Sequence, residues 1–468
     1  MRVQTQNFGS TAPFFFCQVL LKGLGGGNIW SFKSCFPERR LKAVEGEIEM
    51  KRTWKISEEG GGFAGGGSVM GKEEEDPATV DDPNHALKVF LDRIPISSIP
   101  GIQNSSVLEL KPSDSIRDAI ALLHQKDVFA APIADGWATE DRNFSDHNIG
   151  VVDLASMILW CMEEIEKSAE NFDKEGDDLF SALDKLPQIG QATIRELAKS
   201  FRWASFLPAY PDDTLLHVLL LLSKHQLKAV PIISHVDSRV IGFLTQNAVL
   251  HLLLQCSGLN WFDRIADKAL CEFRFEMGDS VVHVNGDQSV AEALHQLWEN
   301  RLSGIPILDR TSKRLIGALR ITDIPLLLDD SRLFSGRKEM TVMELIDADA
   351  MRSSVPSSPE VPIEGELGAL LSAGTLHLKS AGLPKMNFVV TNQRTDRLKQ
   401  AMEKLVHCRS DRSFLVEKEK IVGVVTIRDI LMQFSPPADA NVGRGGFFQS
   451  ALHETGCHDD KGNPVVNR

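Results

Sequence analysis

Residues Asp287–Asp323 read DQSVAEALHQLWENRLSGIPILDRTSKRLIGALRITD, and this stretch decides how the rest of the chain is parsed. Val290, Ala293, Leu294 and Leu297 recur at helical spacing and predict an amphipathic helix. A short apolar strand, Gly304–Leu308, follows; polar residues then lead to a second apolar run, Leu315–Ile321, ending at Asp323. Weaker copies occur three more times, so the chain reads as a four-repeat array of β-α-β-β-α units, an α/β fold.

The copies align on a short apolar core, AAPIAD, AVPIIS, GIPILD and RSFLVE, each followed by a variable loop and an Ile-Gly or Val-Gly step. Those steps are Ile149-Gly150, Ile241-Gly242, Ile316-Gly317 and Val422-Gly423. A glycine at one place in all four copies predicts a bulge or a close backbone approach at the start of the second strand. In the first copy, Val107–Leu110 is strand-like, Phe129–Ala134 and Ile149–Leu154 are the paired strands, and Ala155–Ile165 is the closing helix. In the second, the helix carrying Leu215, Leu216 and Val218–Leu222 is almost wholly apolar, as suits one buried at an interface. The fourth comprises FVVT (Phe388–Thr391), a helix Asp396–Cys408, Ser413–Glu417 and Ile421–Phe434.

Outside the repeats, residues 1–85 are Gly-rich and aperiodic and are read as a disordered or targeting segment. Its apolar run Pro13–Leu21 is far short of the ~20 residues that span a bilayer. Gly66-x-x-x-x-Gly71-Lys72 imitates a phosphate-binding loop, but Glu73 stands where Ser or Thr would hold magnesium and no strand precedes it, so it is read as linker. Residues 86–165, 195–262, 263–330 and 386–435 hold the four repeats. Residues 166–194 are read as a polar, mobile linker, 331–385 as an inserted loop too rich in Pro and Ser for regular structure, and 436–468 as a disordered tail.

Composition narrows the function classes. Against 51 Lys+Arg stand 64 Asp+Glu, a formal charge of −13, which argues against an extended nucleic-acid face; an anionic ligand needs a locally basic pocket. The seven cysteines are scattered, odd in number and without a CxxC pair, as in a reducing compartment. Cytoplasmic or nuclear placement is expected. No HExxH, GxSxG or kinase signature is present, so the chain is expected not to be an enzyme. The histidines His217, His225, His251 and His295 lack metal-ligand spacing.

The repeated xxPIxD…(I/V)G…TxxD pattern, its fourth copy lacking the Pro, resembles CBS domains in two tandem pairs. With FRWASFL (Phe201–Leu207) and LLLLSKHQLKAVPII after it, the chain is similar to plant gamma-type subunits of the AMP-activated and sucrose-non-fermenting-related kinase family. The resemblance spans roughly Ala86–Phe434. It implies a non-catalytic regulatory subunit that binds an adenine nucleotide (AMP, ADP or ATP) between repeats and contacts a kinase catalytic alpha subunit and a beta-type scaffold subunit. The alternatives are a CBS scaffold that no longer senses nucleotide, or a regulator of an unrelated enzyme or transporter.

The resemblance also implies site positions. The Asp of TxxD accepts ribose hydroxyls, chemistry suited to an ionised carboxylate. Repeat four keeps Thr426 and Asp429; repeat three keeps Asp323 but has Arg320 at the Thr position. Repeat one carries Asp153 and Ser156 there, and repeat two Thr245 and Ala248. Lys228 and Arg412, just before their strands, are the expected phosphate contacts, with Arg301 and Arg320 as substitutes, and Thr391 is the expected adenine contact. Each has a plainer reading: Asp323 and Asp429 stand where acidic residues cap helices, Arg412 where a cation is simply solvated, and Thr391 in a strand that favours Thr.

Overall fold

The computed structural model describes residues 83–99, 102, 107–134, 148–168, 177–200, 206–225, 227–236, 239–275, 281–351, 376–377, 384–435, 457–460 and 463–466. The Gly-rich N-terminal segment, the phosphate-loop imitation and the SSVPSSPEVP run lie outside them. Among the described residues no helix is long and apolar enough to cross a membrane.

Four antiparallel ladders form where the sequence places its apolar cores. The strands are β1 (Val128–Ala134) and β2 (Asn148–Asp153) in repeat one, and β3 (Ala229–Ile233) and β4 (Val240–Thr245) in repeat two. Repeat three holds β5 (Val284–Asn285), β6 (Gly304–Leu308) and β7 (Leu315–Arg320), and β8 (Leu376–His377) follows it. Repeat four holds β9 (Thr391–Asn392), β10 (Arg412–Glu417) and β11 (Lys420–Thr426). Each ladder shifts register at the same point. Ile133, Ile232, Ile307 and Leu415 pair with Gly150, Gly242, Gly317 and Gly423, and the next pairing skips Ile149, Ile241, Ile316 or Val422. The expected bulge is therefore present in all four copies. Two of the glycines also meet backbone: a Cβ on Gly317 would lie 2.8 Å from Ile346 Cδ1 and 3.1 Å from Met386 O, and one on Gly242 3.0 Å from Ile102 O. The chain passes too closely there for a side chain.

The opening helices, Ile116–Gln125, Leu215–Lys224, Val290–Glu299 and Leu398–His407, start alike because Ser115, Thr214 and Ser289 accept the amide three residues on, while in the fourth Gln400 accepts the Arg397 amide. The closing helices of repeats one, two and four are Leu154–Lys167, Gln246–Leu254 and Ile427–Phe434. Repeat three has only a 3₁₀ turn, Ile321–Asp323, and a four-residue helix, Leu326–Asp329, since Pro325 supplies no backbone donor.

Sheets meet within pairs and helices meet between them. Phe206, Ile233, Val240 and Phe243 of repeat two pack on Val107 and Val151 of repeat one, while Ala318 N donates to Met386 O (2.9 Å) at the junction of repeats three and four. Across the pairs, the closing helix of repeat one packs on the opening helix of repeat three; the apolar Leu215–Lys224 helix packs on Ile427–Phe434 of repeat four, which accounts for its burial. Isolated bridges expose the duplication: Pro95–Thr214 and Ser115–Thr193 in the first pair match Ala269–Arg397 and Ser289–Thr341 in the second. Pro95 and Ser115 are 20 residues apart, as are Ala269 and Ser289; Thr193 and Thr214 are 21 apart, but Thr341 and Arg397 are 56. The extra chain is the insertion read from the sequence.

Several local expectations need correction. The polar linker contains helices Leu179–Lys185 and Pro187–Gly190, with Leu179, Ala182, Leu183 and Ile189 buried; its seven-residue helix is too short to show periodicity. The insertion begins with helices Ser331–Ser335 and Val342–Met351, the latter burying Val342, Leu345 and Ile346, and its β8 pairs antiparallel with β1. FVVT contributes only Thr391 to β9, and the tail contains a ladder pairing Cys457–Asp460 with Asn463–Val466.

Candidate nucleotide site in the second pair

The same helix start occurs four times, and the fate of its carboxylate differs each time. In repeat one both oxygens of Asp153 are taken by Ser156: Oδ1 by the amide and Oδ2 by the hydroxyl, each at 2.7 Å. Repeat two has no carboxylate, and Thr245 Oγ1 caps the Ala248 amide at 3.1 Å. In repeat three Arg320 takes both oxygens of Asp323. Its Nε and backbone N donate to Oδ2 and its Nη2 to Oδ1, all at 2.9 Å, and Nη2 also donates to Pro384 O. Both side chains are buried.

Repeat four departs from this. The Thr426 amide (2.9 Å) and hydroxyl (2.6 Å) donate to Asp429 Oδ2, and the Asp429 amide returns a bond to Thr426 Oγ1 (3.2 Å). Oδ1 has no hydrogen-bond partner among the described residues, and Asp429 is half-buried at the start of Ile427–Phe434. It is thus both a cap and a carboxylate with an acceptor to spare, so the plain and functional readings coexist.

The expected phosphate contacts fare differently. Arg412 is buried at the head of β10, where Nη1 donates to Gly304 O (2.6 Å), Nη2 to Ser303 Oγ and to Asp411 Oδ2 (2.7 Å), and Nε to Asp411 Oδ1 (3.0 Å). It locks repeat four to repeat three, and has no donor set free for a phosphate. Arg320 is likewise committed to Asp323 and Pro384. Arg301 sits exposed just past its helix with φ 52°, a left-handed helix end shared by Asp127 and Arg409 in repeats one and four, so its position is a backbone requirement. Lys228 is exposed; its backbone O accepts from Gln246 N (3.0 Å), while its ammonium makes no hydrogen bond or ion pair among the described residues.

Three of these charges, Arg412, Lys228 and Arg320, nevertheless act on one acid, Asp411, which is not among the expected site residues. Partial desolvation pushes the Asp411 carboxyl up although its side chain is partly exposed to solvent, but Arg412, Lys228 and Arg320, from three repeats, together hold it below the ordinary carboxylate range. Asp323 is the reverse case: burial pushes its carboxyl above that range, and the Arg320 fork only partly opposes the rise. Arg428, inside the TIRD motif, was also passed over; its Nε donates to Ser223 O (3.1 Å) at the end of the opening helix of repeat two. Adjacency of Asp411 and Arg412, and the i, i+3 spacing of Arg320 and Asp323, were the signals available. A cleft of about 270 Å³ opens between repeats three and four, lined by Leu315, Ile316, Asn387, Val389, Thr391 and Val416, with Arg314 and Glu419 paired at 3.4 Å beside it. Of the expected site residues it contains only Thr391.

A sequence model of the CBS domain family matches residues 198–255, 272–327 and 385–435, which are repeats two, three and four. Those three segments match the CBS domain. It is similar to the SNF1-related protein kinase regulatory subunit gamma-1 of Arabidopsis thaliana, 24% identical over 378 residues, which cover 75% of this chain and 83% of that protein. A gamma-1-like subunit of the same plant is 24% identical over 312 residues, 53% and 70% of the respective chains. A solved structure from Methanocaldococcus jannaschii covers 73% of this chain and all of its own at 14% identity, with a TM-score of 0.45. The similarity to the Arabidopsis gamma-1 subunit by itself extends over most of the chain.

Proposed function

We propose that this chain is a non-catalytic regulatory subunit of an energy-sensing Ser/Thr protein kinase complex that binds a single adenine nucleotide in its second pair. One observation carries the site: of four equivalent helix starts, repeat four is the one that leaves a carboxylate oxygen, Asp429 Oδ1, without a partner among the described residues. A ribose diol donates hydroxyls, and an ionised carboxylate accepts them strongly. In this reading Thr426 orients Asp429, Lys228 supplies a point charge to phosphate, and Thr391 lies at the adenine end. The regulatory role and the kinase partner rest on similarity to the Arabidopsis kinase regulatory subunits, and the beta-type partner on the family resemblance of the repeats. Nucleotide shifts the packing of the pairs only as far as it binds one arrangement more tightly.

Titration calorimetry of the full chain with AMP, ADP and ATP tests the site, with Asp429→Asn as the variant because it keeps the cap's shape. Binding weakened at least ~10-fold by that change is expected, the worth of one charge-assisted hydrogen bond. No binding by the wild type, or equal binding by a variant of unchanged melting temperature, overturns the site. A second reading, a CBS scaffold without nucleotide sensing, is favoured by the three closed helix starts. Kinase-subunit capture that is unchanged by nucleotide would select it, and failure to capture any kinase subunit would count against the kinase role.

A further inference from the structure

We infer that Arg320 is a built-in occupant that keeps the Asp323 position of repeat three closed, and that this position is a latent site for a cis-diol-bearing nucleotide. The inference rests on the proposed reading of Asp429 for the ligand's chemistry, but its geometry is its own. Arg320 and Asp323 occupy the register that Thr426 and Asp429 occupy in repeat four: each first residue ends the second strand, opposite Gly304 or Arg412, and each aspartate lies three residues on and accepts the first residue's amide at 2.9 Å. What differs is the side chain at the first position. Threonine consumes one carboxylate oxygen; arginine consumes both and then reaches Pro384 O, 64 residues away, where the chain returns from the insertion. The guanidinium therefore does from within what a diol and its cationic surroundings would do from outside. It satisfies the buried carboxylate and ties repeat three to the approach to repeat four. A diol that displaced it would satisfy the carboxylate but leave the buried guanidinium with Pro384 O in place of its two-oxygen fork, a cost that holds wild-type repeat three closed.

The gain-of-function variant is Arg320→Thr, which rebuilds the Thr-x-x-Asp start seen in repeat four. Calorimetry on the full chain with AMP and ATP is expected to show one additional site per chain, retained in Arg320→Thr/Asp429→Asn and lost in Arg320→Thr/Asp323→Asn. The reciprocal Thr426→Arg is expected to close repeat four, weakening wild-type binding at least ~10-fold. A wild type that binds nothing overturns the Asp429 reading alone, because the gain in Arg320→Thr is measured against that baseline and depends on Asp323. A folded Arg320→Thr with no added site overturns the inference. Should that variant unfold, Thr426→Arg with binding undiminished overturns it instead.

Discussion

Replacing Gly304 by alanine should reveal how repeat four is fastened to repeat three. A Cβ at this position would lie 2.9 Å from Arg412 Cζ, 3.0 Å from Nε and 3.1 Å from Nη1. Such a contact would be relieved cheaply if the guanidinium were free to swing away. It is not, because the same group donates to Gly304 O and Ser303 Oγ across the junction and is buried there. Moving it sacrifices at least one buried hydrogen bond from a charged donor, about 1.5–3 kcal/mol. The pairing with Asp411 adds little to this, since that side chain is 41% exposed and solvent screens it. Against the loss stands about 0.5–1 kcal/mol gained when glycine in a strand becomes alanine. The net expectation is destabilisation by about 1–2 kcal/mol. In an Arg412→Met background the obstacle is absent, so the same substitution should become neutral or stabilise by about 0.5 kcal/mol, a coupling near 2 kcal/mol. Urea unfolding followed through the chain's seven tryptophans measures all four corners of the cycle. A coupling below about 0.5 kcal/mol, or a destabilisation that persists without Arg412, would refute the latch.

Other expectations follow from single side chains. Arg337 is fully buried, lies over Phe334 (4.4 Å), and reaches Glu166 at the end of the Leu154–Lys167 helix at 2.7 Å, so Arg337→Ala should cost about 2–4 kcal/mol in urea unfolding, with Arg337→Met costing less because it refills the space. His295 is held above the ordinary histidine value by its hydrogen bond to Glu163 (2.8 Å), aided by Glu299. Its contribution is therefore full below about pH 6.5 and lost as pH rises through the folded value; with the ring 53% exposed, His295→Gln should cost no more than about 0.5 kcal/mol at pH 6 and nothing at pH 9. Among the described cysteines, exposed Cys271 should be alkylated first at pH 8. Burial raises the thiol of Cys161 and pushes that of Cys256 up to about 12, so mass spectrometry should find both unmodified until the chain unfolds.

The fold was legible because its determinants are local. Helical and strand periods, and the Gly after each bulged residue, recur in four registers, and a bulge needs only its own two strands to form. The Thr426–Asp429 box was equally legible, since its four atoms lie within one helical turn. The short helices of the linker and insertion were hidden, being too brief for periodicity and stabilised by burying Leu179, Leu183, Leu345 and Ile346 against other elements.

Sequence alone thus determined the repeats, their bulges and caps, and which positions near them carry charged side chains. Only the tertiary structure decided which of those charges are still unspent. Arg412 and Arg320 look identical to free cations when read along the chain, yet Gly304, Ser303 and Pro384, 108, 109 and 64 residues distant, supply acceptors that immobilise them. A charge's availability depends on what surrounds it in space, because desolvation forces a buried guanidinium to find partners wherever the fold provides them. By that same rule Asp429, half-buried with Oδ1 unbonded among the described residues, is the carboxylate the fold leaves open.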